Sequence, residues 1–363
     1  MKIQINKKWK KTGLIVLIVL LALILLAVLT MAIAGSYVLD KLGSAQPTET
    51  FEVIPPDQED FETDFIETDP TEDITAGATE ETTVPEETTQ PTEPPAPTRP
   101  NFDWPAVEQL KSDDVMNILL IGQDSNMATG QRSRSDSMIL LSINKKNNTI
   151  TMTSFMRDLY VQIPGGYTDN RINASYRFGG SALLDATIEK NFGVVIDGNV
   201  EVGFDQFAKI INILGGVDVN LTTAEANHMN KIGHSGIKPG LNHLNGNQAL
   251  AYCRIRKIDS DHNRTERQRK VLGALGESAR NISAGQMMEL INQVLPYVYT
   301  DLSNSEIVSS ATSALSILAS GGAIKSGKVP QAGQYYGNTI MGMQVLVPNL
   351  TLCNQYLKSF IYG

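Results

Sequence analysis

The sequence predicts one α/β domain, an α/β/α sandwich with a mixed central sheet covered by helices, preceded by one transmembrane helix and a disordered linker. Three observations carry this expectation. The run from Thr12 to Leu39 is uncharged and long enough to cross a bilayer with some tilt. The stretch from about Gln46 to Pro100 is too poor in apolar side chains to offset the entropy of ordering it. Beyond it, apolar runs of strand length are followed by amphipathic stretches of helix length. The 363 residues therefore hold one folded domain, where length alone suggests two. The expected boundaries are a cytoplasmic tail at 1–12, the membrane helix at 13–38, the linker at 39–105 and the folded domain at 106–363.

Before the apolar run, Met1 to Lys11 hold Lys2, Lys7, Lys8, Lys10 and Lys11 and no acid. Such a cluster stays in the cytoplasm, which exports everything after Asp40 and makes the chain a single-pass protein of the cell membrane with its domain outside. Ala32-Ile33-Ala34-Gly35 resembles a cleavage site for a signal peptide, but the apolar run is longer than a signal core of 7 to 15 residues. A retained anchor is the expectation. A flexible coil of the linker's length reaches about 40 Å, and repulsion between like charges with proline stiffness extends it.

The linker also explains the acidic balance. It holds 16 acidic residues against Arg99, while the first 45 residues hold six lysines against Asp40; with −9 overall, residues 101–363 come to +1. Any attraction of the domain for an anion must then come from clustered arginines and not from a global field. The two cysteines, Cys253 and Cys353, read as small buried hydrophobes, since a domain of this size needs no bridge; a disulfide between them is the alternative.

Within the domain, "VMNILLIG" from Val115, "DSMILLSI" from Asp136 and "TITMTSF" from Thr149 are bounded apolar runs and read as strands. "SALLDATIEKNF" from Ser181, "FDQFAKIINILGG" ending at a glycine pair, and "NRTERQRKVLGALGESA" from Asn263 read as helices. Asp124 falls just past the first strand and Asp136 at the mouth of the second. If those strands are neighbours, the two carboxylates meet at one end of the sheet, as Mg²⁺ requires of its few protein ligands. Each aspartate could equally cap a loop or pair with Arg132 or Arg134.

Arginines gather in the same regions: Arg157 beside Asp158, Arg171 with Asn173, then Arg254, Arg256, Arg264, Arg267 and Arg269. On a strand, Arg254 and Arg256 would share a face. On a helix, Arg264, Arg267 and Gln268 would do so. Guanidinium forks bind phosphate oxygens in pairs, so several converging forks could hold a diphosphate. Arg269 and Lys270 fit a solvated basic face. Other catalytic templates are absent: there is no phosphate-binding G-x-x-x-x-G-K, no H-E-x-x-H among His228, His234, His243 and His262, and no G-x-S-x-G.

"ILLIGQDS", "RSDSMILLSIN", "TMTSFMRDLYV", "RINASY", "ILGGVDVNL", "GLNHLNGNQALAYCRIRK" and "DHNRTERQRKV", in that order, resemble the LytR-CpsA-Psr family of bacterial cell-envelope proteins. The resemblance runs from about Asp114 to the C-terminus. It implies an extracytoplasmic phosphotransferase that moves a glycopolymer, such as teichoic acid or a capsular or secondary wall polysaccharide, from a polyprenyl diphosphate carrier to peptidoglycan. By the same resemblance, Asp124 and Asp136 look like an Mg²⁺ pair, with Mn²⁺ as a substitute. Arg134, Arg157, Arg254, Arg256, Arg264 and Gln268 look like the set facing the diphosphate, with Arg157, Arg254 and Arg256 as the catalytic arginines. The family's lipid tunnel would be lined here by residues such as Phe204, Phe207, Ile210 and Leu214, which ordinary core packing explains as well. Two departures stand out: Asn126 where the family often has arginine, and Met156 where proline is common. Implied partners are the lipid-linked polymer, the peptidoglycan acceptor and the membrane.

Rival readings differ in chemistry. A nucleic-acid regulator conflicts with a topology that leaves only Met1 to Lys11 inside. A non-catalytic lipid or wall binder needs no carboxylate pair. A diphosphate hydrolase would use the same site with water as nucleophile.

Overall fold

The computed structural model describes residues 100–123, 133–279, 290 and 293–363. The expected membrane helix, the linker up to residue 99 and Asp124 with Asn126 lie outside these residues. Among the described residues no helix is long and apolar enough to cross a membrane.

The three strands expected first are present as β1 (Val115–Gln123), β2 (Ser135–Asn144) and β3 (Thr149–Phe155). They pair antiparallel in sequence order, β1 with β2 and β2 with β3. Later come β6 (Gly198–Gly203), parallel to β1, β9 (Tyr299–Thr300) beside β6, and β10 (Ala323–Val329), parallel to β3. The sheet order is β10-β3-β2-β1-β6-β9, a mixed sheet. Small two-stranded pairs flank it: β4 (Tyr160–Val161) with β5 (Asn170–Arg171), β7 (Val217–Leu221) with β8 (Gly240–Leu244), and β11 (Tyr335–Ile340) with β12 (Met343–Pro348).

Both faces of the sheet are covered, which is why its central strands carry apolar residues on both sides, with Asn117, Ser142, Thr151 and Thr153 as buried polar interruptions. Ile118, Ile139, Leu141 and Ile150 point into one core with Ile211, Val271, Leu275 and Ala311. Their chain neighbours Leu119, Met138 and Leu140 point into a second core with Leu184, Ile188, Phe192 and Leu357. The first core is roofed by α2 (Phe204–Ile213), α3 (Thr223–Lys231), α4 (Gly246–Cys253), α5 (Asp261–Ala279) and α6 (Asn304–Ala319); the second by α1 (Ile172–Phe192) and α7 (Leu350–Leu357). Cys253 belongs to the first core and Cys353 to the second, with the sheet between them, and both thiols are free. The disulfide alternative is thereby closed.

Helix ends follow local chemistry. Thr222 with Glu225, Asn245 with Gln248 and Ser303 with Glu306 form reciprocal capping boxes at the starts of α3, α4 and α6. The glycine pair expected to stop α2 does so, with Gly215 and Gly216 at φ 83° and 97°. Helix α1 starts earlier than Ser181: it opens at Ile172 and kinks at Gly179–Gly180, where Gly180 has φ 71°. Ser181 begins its second half. The folded part also starts earlier than residue 106, because Phe102 stacks on Trp104 and Trp104 Nε1 donates to Asp169.

In this sheet the C-terminal ends of β1, β3, β6 and β10 and the start of β2 share one end. Among the described site residues, Asp136 at the start of β2 and Arg157 after β3 lie there.

Candidate functional site

The register of β1 against β2 shifts at this end: Gly122 faces Ser137 and Gln123 faces Ser135, which leaves Asp136 as the extra residue of a bulge. Strict alternation would put Asp136 on the side of Met138 and Leu140. A bulge re-aims a side chain, and here Asp136 joins Ser137 and Ile139 on the wall of a cavity in the first core.

Three guanidinium groups converge on the same Asp136 oxygen, Oδ1. Arg157, in the turn after β3, reaches it at 3.1 Å; Arg256, in the turn after α4, at 3.4 Å; Arg264, on the first turn of α5, at 3.8 Å. Arg264 is almost wholly buried and also donates from Nη2 to the Asp136 carbonyl, 3.1 Å. One turn further along α5, Gln268 Oε1 accepts from Ser137 Oγ at 3.0 Å. Arg254 lies 4.5 Å over the Phe204 ring, a cation–π contact at the start of α2. Arg134 stands half-buried immediately before β2.

A ring of carboxylates holds these arginines. Asp261 Oδ1 lies 2.7 Å from Arg264 Nε and 3.8 Å from Arg157 Nε, contacts of charge without directed hydrogen bonds. Asp158 lies 3.8 Å from Arg157 and 3.7 Å from Arg171. Burial pushes the Asp158 carboxyl above its ordinary range against the pull of Arg157 and Arg171. Burial draws Arg264 below its ordinary value, while for Arg157 the charges of Asp158, Asp261 and Asp136 outweigh burial and raise it.

Several sequence expectations need correction. Arg254 and Arg256 are not on a strand: Arg254 caps α4 and Arg256 follows in a turn, and both reach the cavity by that route. Arg267 does not share the site face with Arg264 and Gln268. It is buried on the far side of α5, bonded to Glu225 Oε1 (2.8 Å), the Ile255 carbonyl (2.9 Å) and Asp259. Three residues span about 300° of helix, so a spacing of i to i+3 leaves room for divergent side chains. Arg269 is not solvated either but buried, whereas Lys270 is exposed beside Glu266. Arg171 braces β5 by donating to the Gln344 carbonyl on β12.

Behind this polar mouth the cavity is apolar. It encloses about 130 Å³ between the sheet, α2, α4 and α5. Phe204, Phe207 and Ile210 line it as the tunnel reading expected, while Leu214 is fully buried core outside its wall. Sequence reasoning missed Val200 and Val202, whose period-two spacing on β6 was the available signal, and Leu272 and Leu275, whose i to i+3 spacing on α5 was the other. An enclosure with an apolar body and a cationic mouth suits an amphiphile with an anionic head.

Oxygen donors decide what cation the mouth fits. The three guanidinium groups occupy Asp136 Oδ1, which leaves Oδ2 as the atom for a hard cation, with phosphate oxygens and water completing its shell. No cluster of three or more His, Cys, Asp or Glu gathers among the described residues. A carboxylate oxygen with phosphate oxygens and water is a donor set that fits Mg²⁺ or Mn²⁺.

A bulged strand end carrying a carboxylate under convergent arginines, with an apolar enclosure beneath, defines a class, and the match of a family model to residues 74–357 settles it: the chain belongs to the LytR_cpsA_psr family. Among its relatives is the polyisoprenyl-teichoic acid–peptidoglycan teichoic acid transferase TagU of Bacillus subtilis (strain 168), 35% identical over 188 residues, which are 50% of this chain and 59% of TagU. TagV of the same organism, described by the same activity, is 39% identical over 176 residues, 46% of this chain and 45% of TagV. The chain thus spans about half the length of these curated relatives. The crystal structure of B. subtilis TagV superposes with a TM-score of 0.57 at 28% identity, covering 69% of this chain and 99% of that one.

Proposed function

We propose that this chain is an extracytoplasmic phosphotransferase that moves a glycopolymer from a polyprenyl diphosphate carrier to peptidoglycan and releases polyprenyl phosphate. The observation that carries the reading is the apolar cavity closed at one end by Asp136, Arg254, Arg256, Arg264 and Gln268. Its body suits a polyprenyl tail and its mouth a diphosphate. The activity given to TagU and TagV supports the same reading. A single-pass anchor at residues 13–38 would place the domain at the outer leaflet, where such a carrier is found, and a linker would let it reach the wall.

Arg157, Arg254, Arg256 and Arg264 grip the diphosphate oxygens, and Arg134 flanks them. A sugar hydroxyl of peptidoglycan attacks the glycan-linked phosphorus; the bond to the bridging oxygen breaks and polyprenyl phosphate leaves. Catalysis here is positioning and charge stabilisation, which suits forks prearranged by Asp136, Asp158 and Asp261. The hydroxyl proton passes to a carboxylate beside the arginines, Asp158 or Asp261. Mg²⁺ or Mn²⁺, held by Asp136 and Asp124, would supply further neutralisation of the diphosphate charge.

The test incubates the full-length protein, in detergent or nanodiscs, with a lipid-diphosphate glycan, Mg²⁺ and peptidoglycan oligomers. Covalently attached glycan is expected, and Asp136→Asn should lower its rate by about 10²–10³-fold, the scale of losing one preorganised charge partner. Release of free phosphorylated glycan with none attached would make the protein a hydrolase.

A further inference from the structure

Successive residues of α5 part company across the sheet. Gln268 turns to Ser137 on β2, in the site already described, whereas Arg269 turns to Ser154 on β3 and Ser326 on β10. Arg269 is only 6% exposed. Its Nε donates to Ser326 Oγ at 2.8 Å and its Nη1 to Ser154 Oγ at 2.6 Å, and among the described residues no carboxylate comes within 4 Å of it. The nearest acid by charge, Glu266, is committed to Lys270 at 3.4 Å. A buried guanidinium held by hydroxyls alone lacks the counter-ion that burial ordinarily demands.

More positive charge stands beside it. Burial and the charge of Arg269 draw the Lys328 ammonium below its ordinary value, and burial and Lys328 do the same to His262. His262 Nε2 lies 3.0 Å from the Tyr335 hydroxyl. Ser326 is exposed and Lys328 half-buried, so the cluster opens at the sheet edge. Arg269 and Lys328 bring two positive charges together, and the acid that acts on both, Glu266, is shared with Lys270, so a negative charge from outside is accommodated there.

Position says which substrate brings it. The cavity lies against β1, β2 and β6, while Ser154 and Ser326, which hold Arg269, lie on β3 and β10 of the same sheet face, beyond Asp136 on β2 in the strand order. In an in-line displacement the attacking and leaving oxygens stand on opposite sides of phosphorus. If the lipid phosphate leaves toward the cavity, the acceptor arrives over β3 and β10. Two strand spacings, about 10 Å, separate β10 from β2, within the span of a short saccharide.

We propose that Arg269, Lys328 and Ser326 form a second anion site, which binds one carboxylate of the peptidoglycan acceptor and holds its hydroxyl beside the diphosphate. The proposal rests on the transfer reading above. It is tested with full-length protein in nanodiscs, using peptidoglycan oligomers with free stem carboxylates and the same oligomers amidated. Lys328→Gln and Ser326→Ala, both near the surface, should raise KM for the free oligomer about tenfold, the scale of one charge-assisted hydrogen bond, with kcat and donor KM unchanged. On the amidated oligomer wild type should already show the raised KM, and the variants should add nothing; Lys328→Arg should restore it. Unchanged acceptor KM, or a rise in donor KM instead, overturns the assignment. If wild type transfers to neither oligomer, the transfer reading fails, and the site is judged by acetate titration of the ¹⁵N-labelled Arg269 Nε–H: a saturable shift supports it and no shift refutes it.

Discussion

Arg267→Gln separates a residue that holds the fold from one that holds the substrate. Arg267 is 2% exposed and bridges three partners: Glu225 on α3, the Ile255 carbonyl after α4 and Asp259 before α5. The substitution keeps bulk but strands two carboxylates, of which Glu225 is nearly buried. Removing one partner of a buried ion pair costs about 3–5 kcal/mol, and in a domain of this size each kcal/mol moves Tm by roughly 2–4 °C. Thermal unfolding followed by circular dichroism should therefore show a drop of roughly 6–20 °C, while donor binding at a temperature where both proteins are folded stays unchanged. The effect should depend on pH. Burial alone would raise the Glu225 carboxyl, but the Thr222 and Arg267 donors hold it below the ordinary glutamate range. A depressed carboxyl stabilises the fold above its unfolded value and loses that contribution as pH falls through the folded value, so the gap between variant and wild type should be widest near neutrality and narrow in acid. A variant that melts with wild type yet releases the donor would put Arg267 in the site and refute this reasoning.

Other perturbations bear on the cavity, the thiols and a buried acid. Val202→Trp places an indole in the apolar enclosure and should abolish co-purification of polyprenyl lipid, read by mass spectrometry, at about 1–3 kcal/mol of stability. Cys253 and Cys353 have thiols pushed up to about 12 by burial, so iodoacetamide at pH 8 should label neither until denaturant is added and both thereafter; a bridged pair would label neither even then. Asp185 is raised to about 7, first by burial and then by the neighbouring acids Asp301, Glu201 and Glu189, against the Asn199 donor. A raised carboxyl gives stability that is present below its unfolded value and lost as pH climbs to the folded value, so Asp185→Asn should raise Tm relative to wild type more at pH 8 than at pH 5.

The fold was legible because its signals were one-dimensional. The runs from Val115, Asp136 and Thr149 carry apolar residues on both faces, as strands covered on both sides do, and their bounds needed one-residue changes at the end of β1 and at both ends of β2. Asp136 was found as a residue, but its aim was not, since a bulge depends on how Gly122 and Gln123 pair with the neighbouring strand. The three arginines of α5 show the limit of periodicity most clearly. Arg264, Arg267 and Arg269 look alike in sequence, yet they end at Asp136, Glu225 and Ser154, because each long side chain is captured by a different packed neighbour. Arg254 and Arg256 reached the mouth through a helix cap, where alternation was the wrong rule and gave a serviceable position by coincidence.

On the function proposed above, the apolar enclosure makes a bound lipid a removable part of the hydrophobic core. Its walls, among them Ile139, Val200, Ile211 and Leu275, belong to the same packed cluster that supports the sheet. A ligand present at 100 times its Kd adds about 2.7 kcal/mol to the folded state, so an enzyme waiting with its carrier in place is a sturdier object than the same enzyme after release. Under the proposed transfer, each turnover would then include a brief softening of the domain, and the supply of carrier would set how long the protein survives as well as how fast it works.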